Sequence, residues 1–139
     1  MSITNRYVKR SRISEAKFRE FVRYFSLDLD AYKIATLTGL NRNTVNRYLK
    51  LIRKRIAEFC EQTSPGQGEI EINESSFGAR RVIWSYAKRR LMKFHGVPRS
   101  TFYFHLKECE FRFNYRSENI YRVLLELLIK KPAQLVSSL

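Results

Sequence analysis

The chain has 139 residues, 44% hydrophobic and 14% aromatic, and 27 Lys and Arg against 13 Asp and Glu give it a net charge of +14. This apolar content excludes a wholly disordered chain, and the length allows one compact domain or two very small ones. The charge excess argues for a polyanionic partner, because Lys and Arg gain by releasing counterions from phosphates, and it makes nucleic acid the first ligand class to weigh.

In chain order, Asn5 to Arg12 is basic but lacks the apolar stretch of a secretory signal. Ser14 is placed to cap a helix that carries Phe18, Phe21, Val22 and Phe25 at helical spacing. A second helix is predicted from near Asp30, with Ala31, Ile34, Ala35 and Thr38 on one face. Gly39 ends it, since glycine accepts positive φ cheaply. A third helix, capped by Asn41 or Asn43, runs long and aligns Val45, Leu49, Ile52, Ile56 and Phe59. The turn-rich run Thr63 to Gly68 then divides the helical N-terminal part from the rest.

Beyond that linker, Glu69 to Asn73 alternates strictly between polar and apolar residues, which is a strand pattern. Helical spacing returns in Trp84, Ala87, Leu91 and Phe94, and a turn follows at Gly96-Val97-Pro98. Ser100 is expected to cap a helix bearing Phe102, Leu106, Cys109 and Phe113. A last helix aligns Ile120, Val123, Leu124, Leu127 and Leu128 and stops before Pro132, leaving a frayed tail from Ala133 to Leu139. Cys60 and Cys109 both lie in apolar helical patterns and read as small buried thiols, which suits a reducing cytoplasm. Neither has a zinc-ligand spacing around it. No apolar run approaches the ~18 residues that a membrane span needs, so no membrane partner is expected.

Ala31 to Lys50 fits a helix-turn-helix. Ala35 supplies the small residue where two helices touch, Gly39 the tight turn and Val45 the anchor of the second helix, while Ile34, Leu40 and Leu49 fill the remaining core positions. The second helix then shows Arg42, Asn43, Thr44, Asn46, Arg47 and Lys50 outward, with no acid among them. Arginine can grip guanine and asparagine adenine through paired hydrogen bonds in the major groove. Thr44 and Lys50 suit phosphates, which position a helix without reading sequence. Arg53, Lys54 and Arg55 read as a general electrostatic face.

Three runs resemble a known family. Gly68-Glu-Ile-Glu-Ile-Asn-Glu-Ser-Ser-Phe-Gly78 resembles the first catalytic strand of bacterial insertion-sequence DDE transposases of the ISXO-like family. Trp84-Ser-Tyr-Ala-Lys-Arg-Arg-Leu-Met-Lys-Phe-His-Gly-Val-Pro98 is similar to their final catalytic helix and the turn after it, and His105 to Asn114 looks like the helix that follows. The resemblance implies an RNase H-like domain that cuts and joins DNA with two magnesium ions held by acidic side chains. It also implies that the acids are gone. Asn73 stands at the first position, Arg81 at the third, and the central stretch with the second is deleted. Glu69 and Glu71 share a strand face with Asn73 but read as solvated acids. Lys88 matches a basic residue seven positions after the third acid, where it would reach DNA.

The expected fold is therefore mainly α. It comprises an N-terminal three-helix helix-turn-helix module (1–63), a linker with a short β remnant of the first catalytic strand (64–82), and a C-terminal helical cluster left from the RNase H-like domain (83–139). The expected protein is a transposase-derived, catalytically inactive binder of double-stranded DNA, with the terminal repeats of an insertion element as its target and no cofactor. Two other readings stay open: a small helix-turn-helix transcriptional regulator, and an active transposase of unusual architecture. A translated pseudogene without a role is a fourth.

Overall fold

The structure, a computed structural model, describes residues 5–63, 84–92 and 98–134. The predicted strand at 69–73, with Glu69, Glu71 and Asn73, lies outside the described residues, and so does Arg81. The protein is mainly helical. Among the described residues the elements are β1 (Val8–Lys9), α1 (Glu15–Ser26), α2 (Ala31–Thr38), α3 (Arg42–Thr63), α4 (84–91), α5 (Arg99–Asn114), α6 (Ile120–Lys130) and β2 (Ala133–Gln134).

The chain forms two compact units, 1–55 with 118–139, and 56–117, and the division falls inside α3. It follows packing contacts, so 118–139 belongs with the N-terminal helices rather than with the residues that precede it in sequence.

In the first unit the helix starts follow local chemistry. The Ser14 hydroxyl accepts the Lys17 N–H at 3.1 Å, and the Asp30 carboxylate accepts the Lys33 N–H at 2.9 Å. Each satisfies one of the donors that a helix start leaves without a partner. α1 buries Phe18, Phe21, Val22 and Phe25, the residues aligned in the sequence. Phe18 and Phe21 sit 6.2 and 6.1 Å from the ring of Tyr48 on α3, and Tyr7 stacks on Phe18 at 5.6 Å. α6 is capped by Asn119, whose side chain accepts the Arg122 N–H at 3.1 Å. It buries Leu124, Leu127 and Leu128 and packs on α1.

The end of this unit differs from expectation. Ala133–Gln134 does not fray but pairs in parallel with Val8–Lys9, and the Ala133 N–H donates to the Tyr7 carbonyl at 3.0 Å. Tyr7, Val8 and Ala133 are buried, so apolar burial holds this strand pair in place, and the rest of the expected frayed tail, 135–139, lies outside the described residues. Arg55 also departs from the electrostatic face read for it. It is buried, and its Nε donates to the Lys131 carbonyl at 2.9 Å at the end of α6. A cation there offsets the negative end of the helix.

In the second unit the apolar spacing misleads in two places. Trp84 is 49% exposed, while Ala87 and Arg90 of α4 are buried. Phe102 is exposed, and α5 buries Glu108, Cys109, Phe111 and Arg112. The reason is an interior ion cluster. Glu108 Oε2 accepts from Arg90 at 2.7 Å and from Arg112 at 2.8 Å, which draws charged residues to positions that an apolar pattern would fill. Ser100 is not the cap of α5. That helix starts after Pro98, whose carbonyl takes the Thr101 N–H at 3.1 Å. Phe59 and Phe111 meet edge to face at 6.0 Å beside Cys60, which is buried like Cys109. Burial pushes the Cys60 thiol up to about 12 and raises Cys109 too, which keeps both as inert thiols near neutral pH.

Gly39 ends α2 at φ 76, and a Cβ built there meets nothing within 4 Å. Gly39→Ala is therefore expected to cost only the conformational strain of a left-handed residue, about 1–2 kcal/mol. Urea unfolding would measure it. An unchanged midpoint would mean that the turn does not need the left-handed conformation.

Candidate nucleic-acid interface

Three residues, Gly39, Leu40 and Asn41, join α2 to α3. Their geometry is fixed from both sides. The Thr38 hydroxyl donates to the Ile34 carbonyl at 2.7 Å and accepts the Leu40 N–H at 3.3 Å. Lys17 of α1 places its ammonium 2.9 Å from the Thr38 carbonyl, a cation at the negative end of α2. Of the two asparagines read as possible caps, Asn41 takes the role: its side-chain oxygen accepts the Asn43 N–H at 2.7 Å. Ile34 and Val45 are fully buried, Leu49 is buried, and Ala35 and Leu40 are half-buried.

At 3.6 residues per turn, α3 has a buried strip through Val45, Tyr48, Leu49 and Ile52 and an exposed strip opposite it. Asn43, Asn46, Arg47 and Lys50 occupy the exposed strip and lie together on it. Arg42 is also exposed, at one edge, with its guanidinium 5.8 Å from the ring centre of Tyr32 on α2. Thr44 is half-buried at the other edge, one turn before Tyr48. Arg42, Arg47 and Lys50 have no carboxylate partner among the described residues, whereas Arg6, Lys17 and Arg19 of the same unit pair with acids at 2.9–3.5 Å. A strip of donors that is not neutralised internally can offer its charge to an anion.

Lys88 lies on α4 in the second unit and is exposed there, as is Ser85 one turn earlier. Two of the other cations of this half, Arg90 and Arg112, point inward to Glu108 and do not contribute to an outer basic face.

This chain is 45% identical to a protein of Haemophilus influenzae described as an uncharacterized transposase-like protein, over 48 residues that make up 34% of this chain and 39% of that one. The match thus spans well under half of the relative's length. No family model and no solved structure matches the chain. Among the described residues no group of three or more His, Cys, Asp or Glu is placed to hold a metal ion, and no helix is long and apolar enough to cross a membrane.

Tyr48 is not part of the apolar stripe read from the sequence, yet it is 1% exposed and its hydroxyl lies 3.0 Å from Ser11 Oγ. The Arg12 N–H donates to the same hydroxyl at 3.2 Å. A hint existed in the sequence. Tyr48, Ile52 and Arg55 follow one another at spacings of four and three, the repeat of a single helix face.

Proposed function

We propose that the chain is a transposase-derived DNA-binding protein without strand-cutting chemistry, in which α2 and α3 act as a helix-turn-helix and α3 enters the major groove of duplex DNA. The observation that carries this reading is the acid-free strip of Asn43, Asn46, Arg47 and Lys50 on α3, presented beside a turn fixed by Gly39 and Asn41. Arg42, Arg47, Asn43 and Asn46 are the residue types that make paired hydrogen bonds to base edges, and Thr44 and Lys50 would hold phosphates. Lys88 adds a weaker phosphate contact. The likeness to a transposase-like protein favours a mobile-element origin, of the ISXO-like kind that the runs around Gly68 and Trp84 resemble. The terminal repeats of such an element are the proposed target, and the cytoplasm the proposed place.

The donor set at the positions of the family's acids does not fit magnesium. Asn73 offers a neutral amide and Arg81 a cation, where hard divalent ions take charged oxygens. No step of the proposed function passes through a metal.

Fluorescence anisotropy with a labelled duplex, run over a series of salt concentrations with and without magnesium, tests both parts. The expected result is binding that weakens steeply with salt and leaves the strands intact on a denaturing gel. Absence of binding at low salt, or a flat salt response, contradicts the DNA-binding reading. Magnesium-dependent cleavage contradicts the loss of chemistry.

A further inference from the structure

We infer that the basic turn Lys9–Arg12 is a second DNA-contacting element, a clamp on backbone phosphates beside the groove that α3 enters; the inference rests on the reading of α3 given above. The sequence shows only a short basic stretch here, and the fold gives it a place and a shape.

The place comes from Tyr48. Its hydroxyl sits between Ser11 Oγ, at 3.0 Å, and the Arg12 N–H, at 3.2 Å. Ser11 Oγ lies 2.9 Å from the Ile13 carbonyl and donates to it, which leaves the Tyr48 hydroxyl to donate to Ser11 while accepting from Arg12. The turn is therefore fastened to α3 at the edge that carries Thr44, one helical turn before Tyr48. Arg42 and Tyr32 mark the opposite edge. The exposed strip of α3 is thus flanked by α2 on one side and by this turn on the other.

The shape comes from Arg10. An extended segment alternates its side chains, so with Val8 inward Arg10 would also point inward. Arg10 instead adopts φ 61, in the left-handed region that a residue with a Cβ visits at a cost. The reversal moves the inward position to Ser11 and leaves Lys9, Arg10 and Arg12 all exposed. The strained residue is held from both sides, by the pairing of Val8–Lys9 with β2 and by the Ser11–Tyr48 hydrogen bond. No carboxylate pairs with these three cations among the described residues, and no acid occurs between Tyr7 and Ile13. A rigid, outward-facing set of cations next to a reading helix suits the phosphates flanking the groove, which fix register without carrying sequence information.

The double variant Arg10→Gln/Arg12→Gln of the full chain tests this, with Arg10→Lys/Arg12→Lys as the charge-preserving control. Anisotropy would be recorded against salt on a preferred duplex, one enriched by the wild-type protein from a random pool, and on a random one. Two lost phosphate contacts should make the slope of log affinity against log salt shallower by about 2, with the same loss on both duplexes. The lysine control should keep the wild-type slope. An unchanged slope in the glutamine variant, while Arg47→Ala loses binding, overturns the clamp and leaves the role of α3 standing. An equal loss in the lysine control makes the effect structural and also overturns it. A loss confined to the preferred duplex makes the turn a base reader and not a phosphate clamp. If neither the glutamine variant nor Arg47→Ala changes binding, the α3 reading itself falls.

Discussion

Replacing Glu108 by alanine is expected to remove about 3–5 kcal/mol of folding stability, the usual result of taking one partner from a buried ion pair. Glu108 is fully buried, and its Oε2 receives both Arg90 and Arg112, each 4% exposed. The carboxylate offsets much of the desolvation of two guanidinium groups. Without it, two like charges lose the carboxylate they share in a buried setting. Against a total stability of roughly 5–15 kcal/mol, such a loss lowers the melting temperature severely or unfolds the chain. Arg122→Ala serves as the control. Its pair with Glu126 spans 3.9 Å with both side chains more than two-thirds exposed, and its loss should cost well under about 1 kcal/mol. Thermal melts that moved alike for the two variants would mean that Glu108 does not hold the cluster.

Much of the first unit was legible from residue spacing and caps. Phe18, Phe21, Val22 and Phe25 declared a buried face because nothing polar interrupts their repeat, and Ser14, Asp30 and Gly39 bracket the helices by chemistry that acts within one turn. The exposed strip of α3 could be read for the same reason, since its partner face is apolar at Val45, Leu49 and Ile52. What escaped depends on partners distant in sequence. Arg55 looks no different from Lys54 until the end of α6 arrives to receive it. Glu108 and Arg112 look like a surface pair at i and i+4 until Arg90 closes the cluster. Ala133–Gln134 reads as a loose tail because two residues carry no period, and only Val8–Lys9 gives them a ladder. The identity of Tyr48 as the anchor of the N-terminal turn needs Ser11, 37 positions away in sequence. Local rules can be read in order along a chain; charge burial and strand pairing cannot.

In the proposed function α3 reads DNA, and Arg42→Ala and Arg47→Ala would be measured on a duplex enriched by the wild-type protein from a random pool. Both guanidinium groups are exposed, free of carboxylate partners among the described residues, and carried on the first turns of α3. Each lost base contact should cost about 1–3 kcal/mol on the enriched duplex, roughly 5- to 150-fold in affinity, and less on random DNA. Lys130→Ala, on the exposed surface of α6, supplies the comparison for general charge loss. Lys17 would not serve, because its ammonium holds the end of α2. The expected result is a collapse of the preference for the enriched duplex in both α3 variants while Lys130→Ala retains it. Equal losses for all three variants on both duplexes would contradict a sequence-reading role for α3.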